Sequence, residues 1–489
     1  MTQTFDVIVV GAGSSGGVVA SRLSEDPSCQ VLLLEAGADY PDEAVSPWPW
    51  MTIGAGVNGL GVGAPVPEMD WGYLSEPLPN GRRVRLDRGK VVGGSSMINA
   101  CIAVRGRPAD FERWVRAGAT GWDWEDVRPY YEKVEASIEI RTHSREDWLP
   151  VQRLHVQAFE ELGYRFAENL DEPDAWDGVV GPWPHNIVNG VRGGTLVNYI
   201  RAARPRANFE ICERVTVDRL AMRGNRVEGV EYVDSAGAQS TAYAERVVVS
   251  AGVFGSPAIL IRSGIGKSGD LRVLGVPAIV DLPVGEHLMD HPMCGFRFSI
   301  PRSEARIGVP QLAVVARGAG WWATPSAHDE ERGIAAILFG LATVDGEGSL
   351  QLTSTNPGAP PAIDLRLADV ISGQGFQHAW ETFHDFLDAP ALRALGAESA
   401  EGSRSLEEIL LRRMGTGAHG AGGCGIGRVV APDLSVLGTE GLFVADASVF
   451  PMHVTNNPNV TCFMVGERAA EFVRNSFGIA LPPSRGRAS

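Results

Sequence analysis

Phe5 to Val10 is a strand-length apolar run that leads straight into Gly11, Gly13 and Gly16, and this junction restricts the fold more than any other stretch. Gly17 to Leu23 then carries helical patterning, and Gln30 to Leu34 reads as a second buried strand ending at Glu35. Strand, tight glycine turn, helix, strand and acid in that order specify a parallel βαβ unit of the dinucleotide-binding kind. The helix N-terminus faces a pyrophosphate, and the Glu35 carboxylate accepts from ribose hydroxyls. A carboxylate there repels a 2′-phosphate, which argues against NADP. The unit by itself leaves FAD and NAD equally open.

At 489 residues the chain exceeds one simple core, so two or three structural units are expected, interleaved ones included. The formal net charge of −16, mixed along the chain, disfavours nucleic acid and anionic membranes as partners. Cys29, Cys101, Cys212, Cys294, Cys424 and Cys462 lie far apart without a Cys-x-x-Cys, a pattern of reduced thiols. His287, Asp290 and His291 have a spacing that could suggest a metal, but no further ligand lies nearby, and no metal is expected. The first strand begins so close to Met1 that a signal peptide has no room. The longest apolar candidate for a membrane span, Val247 to Ile261, is too short and contains Pro257. A cytoplasmic protein is expected.

Along the chain, Ala44 to Pro67 is uncharged in its interior and rich in Gly and Pro, and reads as a covering loop with Trp48 and Trp50. Residues 136–185 look irregular. Asn208 to Val217, Arg226 to Val233 and Ala242 to Ser250 alternate as strands, and a helix opens at Ser256 with Pro257 in its first turn. Residues 300–410 offer little pattern beyond a strand at Gly348 to Leu352, and Pro482 to Ser489 reads as a polar, disordered tail.

A second glycine-rich segment chooses between the cofactors. In Arg88-Gly89-Lys90-Val91-Val92-Gly93-Gly94-Ser95-Ser96-Met97-Ile98-Asn99 the paired glycines let backbone N–H groups approach a phosphate or ring. Farther on come Ser256 to Gly266, His419-Gly420-Ala421-Gly422-Gly423-Cys424, Gly441 to Pro451, and Met452 to Thr461. In this order the motifs resemble the glucose–methanol–choline (GMC) flavin oxidoreductases, with the likeness covering residues 5–135, 190–292 and 345–472.

The resemblance implies a doubly wound, Rossmann-like α/β domain binding FAD, interleaved with an α+β substrate-binding domain built on an antiparallel sheet. Residues 1–145, 186–296 and 412–489 would form the first, and 146–185 and 297–411 the second. It places Gly11, Gly13, Ser14, Ser15, Gly16, Glu35 and Ala36 against the nucleotide. Arg88, Val92, Gly93, Gly94, Ser95, Asn99, Ala100 and Ile102 would follow the pyrophosphate and isoalloxazine, with Val217, Asp446, Ala447, Asn457, Pro458 and Asn459 completing the cofactor site. His419 takes the position of the catalytic base and Asn457 that of its partner.

The chemistry agrees with those residue types. Oxidising an alcohol by hydride transfer to flavin N(5) needs a base for the hydroxyl proton and a donor for the oxygen as it gains alkoxide character. A neutral imidazole, with a reference pKa of about 6.5, is such a base, and an amide N–H is such a donor. His453 is the rival base, only four residues before Asn457. Several positions depart from the family pattern. Ile98 stands where choline-oxidase-like enzymes attach flavin through a His, so noncovalent FAD is expected, and Ala100 replaces a Ser. Gly423, Gly425 and Val253 also differ, and the chain is short across 300–345. The expectation is therefore oxidation of a small-molecule alcohol, not specifically choline, with oxygen or another electron acceptor. The alternative on the same fold is a hydroxynitrile-lyase-like carbon–carbon lyase, and a non-catalytic flavoprotein would need the base position vacant.

Overall fold

Strand β1 (Thr4–Val10), helix α1 (Gly16–Leu23) and strand β2 (Val31–Leu34) form the expected βαβ unit in the computed structural model, which describes residues 4–41, 67–172, 175–189, 191–306, 312–342, 344 and 346–478. β1 and β2 run parallel, with Val7 opposite Val31 and Val10 opposite Leu34. Phe209–Cys212 adds beside β2, Gln239–Val249 beside β1, and Leu442–Val444 beyond that, all parallel. β1 and β2 are buried along nearly their whole length, which is why they read as almost continuous Val and Leu. Val215–Arg223 and Arg226–Asp234 continue the sheet as antiparallel strands.

The expected single strand Asn208 to Val217 is two. Arg214 has φ +57°, a left-handed turn that sends the chain from the parallel edge at β2 to the antiparallel pair. The helix expected at Ser256 starts earlier, at Gly252, and Pro257 lies inside it. Asp446, distant in sequence, accepts from the Gly252 N–H at 2.9 Å and from Ser256 Oγ at 2.5 Å, a cap that local sequence does not reveal.

A second sheet is mostly antiparallel. Pro292–Ser299, Ile334–Leu341, Trp321–Asp329, Val314–Gly318 and Val179–Pro182 are neighbours in that order, and Gly415–Thr416 pairs with the first. It therefore draws in residues 292–299, which cross the unit boundary expected at 296, and residues 415–416, which lie just after the one expected at 412. Its central strands are buried on both faces, so the alternation that marks a half-exposed strand is missing, and residues 300–410 look patternless. The region 136–185 is not irregular throughout, because Pro150–Glu161 is a helix packed on this sheet. Its inner face includes Gln152 and His155, both fully buried, and these polar residues blur the apolar period.

The six cysteines are free thiols. No helix among the described residues is long and apolar enough to cross a membrane. The Ala44 to Pro67 loop, apart from Pro67, and the Pro482 to Ser489 tail lie outside the described residues.

Candidate functional site

Two helix N-termini meet at the glycine turn. α1 begins there, and the helix Asn459–Asn475 crosses it so closely that a Cβ on Gly466 would lie 2.7 Å from the Ser15 carbonyl. Ser14 Oγ donates to Asn459 Oδ1 at 2.8 Å, and Ser15 Oγ donates to the Cys462 carbonyl at 2.8 Å. Both positive dipole ends therefore point toward one place, the arrangement an anionic pyrophosphate requires. The buried Asn459 Nδ2 has no partner among the described residues.

The second glycine segment closes over the first. Gly94, with φ +54°, approaches so near that a Cβ there would lie 2.6 Å from Gly13 Cα. Gly11, at φ +97°, has no space for a Cβ beside the Ser250 carbonyl. Backbone thus lines the gap where side chains would fill it. At the end of β2, Glu35 is buried and accepts from the Ala12 and Gly37 N–H groups at 2.9 and 2.8 Å. Burial, opposed by those amides, pushes its carboxyl up to about 7. Each oxygen keeps a lone pair for a hydroxyl beyond it. The cradle, the orphaned Asn459 amide and the free acceptor capacity of Glu35 fit the FAD that the sequence implies.

One large cavity joins this cradle to the second sheet. Of the expected residues, Gly11, Gly13, Ser14, Ser15, Glu35, Ala36, Arg88, Gly94, Ser95, Asn99, Ala100, Ile102, Val217, Asp446, Ala447, Asn457, Pro458, Asn459 and His419 all line it. Gly16, Val92 and Gly93 do not, and act behind the wall. Gly16 lets α1 pack on the Gly11 carbonyl and Ser250, Val92 is core, and Gly93 donates to the Ala12 carbonyl at 2.9 Å to bind the two loops.

Three imidazoles cluster at the far end. His419 Nδ1 lies 3.0 Å from His291 Nδ1, and the His291 ring rests 3.9 Å from the His453 ring, centroid to centroid. Burial, with the neighbouring His453 and Arg88 charges, holds the His419 imidazole down at about 3, so it is neutral at pH 7. Its Nε2 makes no hydrogen bond with the described residues. His453, by contrast, places Nε2 2.6 Å from the His419 carbonyl and Nδ1 2.7 Å from the Val454 carbonyl, and it does not line the cavity. Asp290 accepts from the His419 N–H at 2.9 Å, with Arg88 3.7 Å from its other oxygen. Burial raises the Asp290 carboxyl against the pull of Arg88. His287, Asp290 and His291 thus do not converge on a common point, and no group of three such ligands occurs among the described residues. Asn457 Nδ2 donates to the Ile102 carbonyl at 2.6 Å, and its buried Oδ1 has no partner among the described residues. The sequence assigned Asn457 a donor role, whereas here one N–H is already occupied and the acceptor is open.

Sequence reasoning missed the opposite wall. Met293, Trp322, Thr324 and Leu338 face the cavity from the second sheet, joined by Trp183 and Leu312. The Trp322 ring lies over Gly340 on the next strand, where a Cβ would strike it. Its ring centroid is 6.3 Å from that of His419. His291 was also passed over as a partner of His419. Its adjacency to Asp290 was visible, but only the strand pairing between 292–293 and 415–416 shows which histidine it meets.

The family model described as GMC oxidoreductase matches in two parts, its N-terminal region over residues 5–293 and its C-terminal region over 345–466. An oxygen-dependent choline dehydrogenase of Paraburkholderia phymatum is 30% identical, the match covering 98% of this chain and 94% of that protein. A GMC-type oxidoreductase of Rhodococcus erythropolis is also 30% identical, over 95% and 97% of the two chains. Among solved structures, pyridoxine 4-oxidase from Mesorbium loti superposes with a TM-score of 0.85 at 26% identity, covering 98% of this chain and all of that one, 100%. Aspergillus oryzae formate oxidase gives 0.86 at 22% identity over 97% and 98%.

Proposed function

This chain belongs to the GMC oxidoreductase family, and on that premise we propose that it oxidises a small-molecule alcohol to an aldehyde or ketone, with His419 as base and Asn457 beside the reacting oxygen. Bound FAD supplies the acceptor for the hydride that leaves the carbinol carbon. The observation that carries the reading is the contrast between two histidines. His419 lines the cavity, neutral, with Nε2 unpartnered among the described residues, whereas both nitrogens of His453 face backbone carbonyls.

The hydroxyl proton passes to His419 Nε2 as the carbon–hydrogen bond breaks, so that no free alkoxide has to form. Asn457 Oδ1 is the open acceptor for that hydroxyl before transfer, and its second N–H is available to the oxygen as charge develops. Trp322 and its neighbours keep water from the proton while it moves.

FAD is held without a covalent bond on this reading. Ile98 has no nucleophile, and the thiols bordering the cavity are poor ones, with Cys101 raised by burial and Cys462 pushed up to about 12 by burial and Asp446. With FAD bound, oxygen or another acceptor would receive the electrons taken from the alcohol.

Anaerobic mixing with alcohols tests the assignment. His419→Ala should retain FAD yet lose flavin bleaching by about 10²–10⁴-fold, the usual worth of a positioned base. If His453→Ala abolishes bleaching and His419→Ala does not, the base has been misplaced.

A further inference from the structure

The second sheet presents a wall without charge. Among the described residues, the charged side chains bordering the cavity are Glu35, Asp87, Arg88, Arg262 and Asp446, and every one belongs to the elements around the nucleotide cradle. The sheet side offers Trp183, Met293, Trp322 and Leu338. Of its two hydroxyls, Thr324 Oγ1 donates to the Val314 carbonyl at 2.7 Å and Thr416 Oγ1 accepts from the Ala418 N–H at 3.1 Å.

Behind that wall sits a cation. Arg317 is 3% exposed and does not line the cavity, and its guanidinium carbon lies 5.2 Å from the centre of the Trp183 ring. Nη1 donates to the Leu170 and Ala175 carbonyls at 3.0 and 3.1 Å, and no carboxylate among the described residues reaches ion-pair distance. Asp171 and Asp177 act on it only from farther away. Burial lowers the group to about 10, so it stays charged at neutral pH. Trp183 lies T-shaped against Trp322, at 6.3 Å and 77°. Two indoles at that angle could cup a quaternary ammonium, but the π-system of Trp183 already serves Arg317.

We propose that the sheet-side pocket selects an uncharged, apolar alcohol and rejects a cationic one, with Trp322 as the contact surface and Arg317, acting through Trp183, as the excluding charge. The proposal rests on the reading of this cavity as the site of alcohol oxidation. A cation seated across the Trp183 ring would stand about 10 Å from Arg317, where like-charge repulsion at an effective dielectric near 20 costs roughly tenfold in binding. Among the described residues no carboxylate lines this wall.

Choline and 3,3-dimethylbutan-1-ol share one shape and differ by the charge on the central atom, so they isolate the effect. With the wild-type holoenzyme, kcat/KM for the neutral isostere should exceed that for choline by more than about tenfold. A ratio at or below one overturns the proposal. Binding is read separately by calorimetry with 2-phenylpropan-2-ol and phenyltrimethylammonium, neither of which has a carbinol hydrogen to give up. The neutral compound should bind more tightly, and preference for the cation overturns the proposal even if alcohols are oxidised. If the neutral compound binds more tightly and no alcohol bleaches the flavin, the pocket assignment stands and the oxidation reading falls. Leu338→Glu supplies the missing carboxylate and should lower the ratio of the neutral isostere to choline, and calorimetry on that variant shows whether the pocket is still formed.

Discussion

His291 and His419 face each other nitrogen to nitrogen, with their Nδ1 atoms 3.0 Å apart. Only one proton fits between them, so the pair fixes a tautomer. If His419 donates, its Nε2 carries a lone pair, as a base must. His291 Nε2 is buried without a partner among the described residues, so the tautomer is set from the His419 side: a lone pair at His419 Nε2 requires the shared proton on His419 Nδ1. His291 then accepts from His419. His291→Leu should lower the anaerobic flavin-reduction rate about 10–100-fold, the usual effect of losing an orienting partner, while FAD content is unchanged. His291→Asn, which retains an acceptor near the same place, should recover most of the rate. Equal loss in both variants would point to packing instead.

The pH dependence follows from the His419 environment. Only the neutral ring accepts a proton, and lowering its value from about 6.5 to about 3 extends the competent range downward. Flavin reduction at saturating FAD should therefore stay level from pH 8 to pH 5. An inflection near pH 6.5 that disappears in His419→Gln would contradict this.

Glu35 has two tasks. Its oxygens tie the Ala12 and Gly37 amides into the turn and keep lone pairs toward the cavity. Glu35→Gln should weaken FAD binding by about 1–3 kcal/mol, since one acceptor becomes a donor facing a donor. Flavin fluorescence titration reads the dissociation constant, and an unchanged value would place the ribose elsewhere.

Gly94→Ala should destabilise the fold by about 1–3 kcal/mol through overpacking against Gly13, with flavin lost in parallel. Gly81 also has positive φ but nothing within 4 Å of a built Cβ, so Gly81→Ala carries strain without collision. Urea unfolding of the two variants separates the terms. Equal stabilities would mean that the loops part without cost.

Acid precipitation should release all FAD into the supernatant, because Ile98 has no nucleophile and, among the described residues, the thiols bordering the cavity are raised by burial. Flavin remaining with the pellet would refute noncovalent binding.

The nucleotide half was legible in the sequence for a physical reason. Its contacts are made by glycines and helix ends, whose requirements are local and ordered along the chain, as at Gly11, Gly13 and Glu35. The sheet-side wall was not. Trp322 and Leu338 reach the cavity through pairing in a sheet buried on both faces, which erases the period of two, and Trp183 comes from a segment that carries only a short strand. The Asn457 case lies between. Its position was readable from the motif, but which amide atom is free depends on the Ile102 carbonyl, hundreds of residues earlier in the chain.

The Ser14–Asn459 bond spans nearly the whole polypeptide. Until the ribosome has made residues 459–475, the pyrophosphate cradle lacks one of its two helix ends, and the first βαβ unit waits with its glycine turn open. A chain truncated before residue 459 therefore lacks one of the two helix ends from which the cradle is built, even though its N-terminal nucleotide fingerprint is intact.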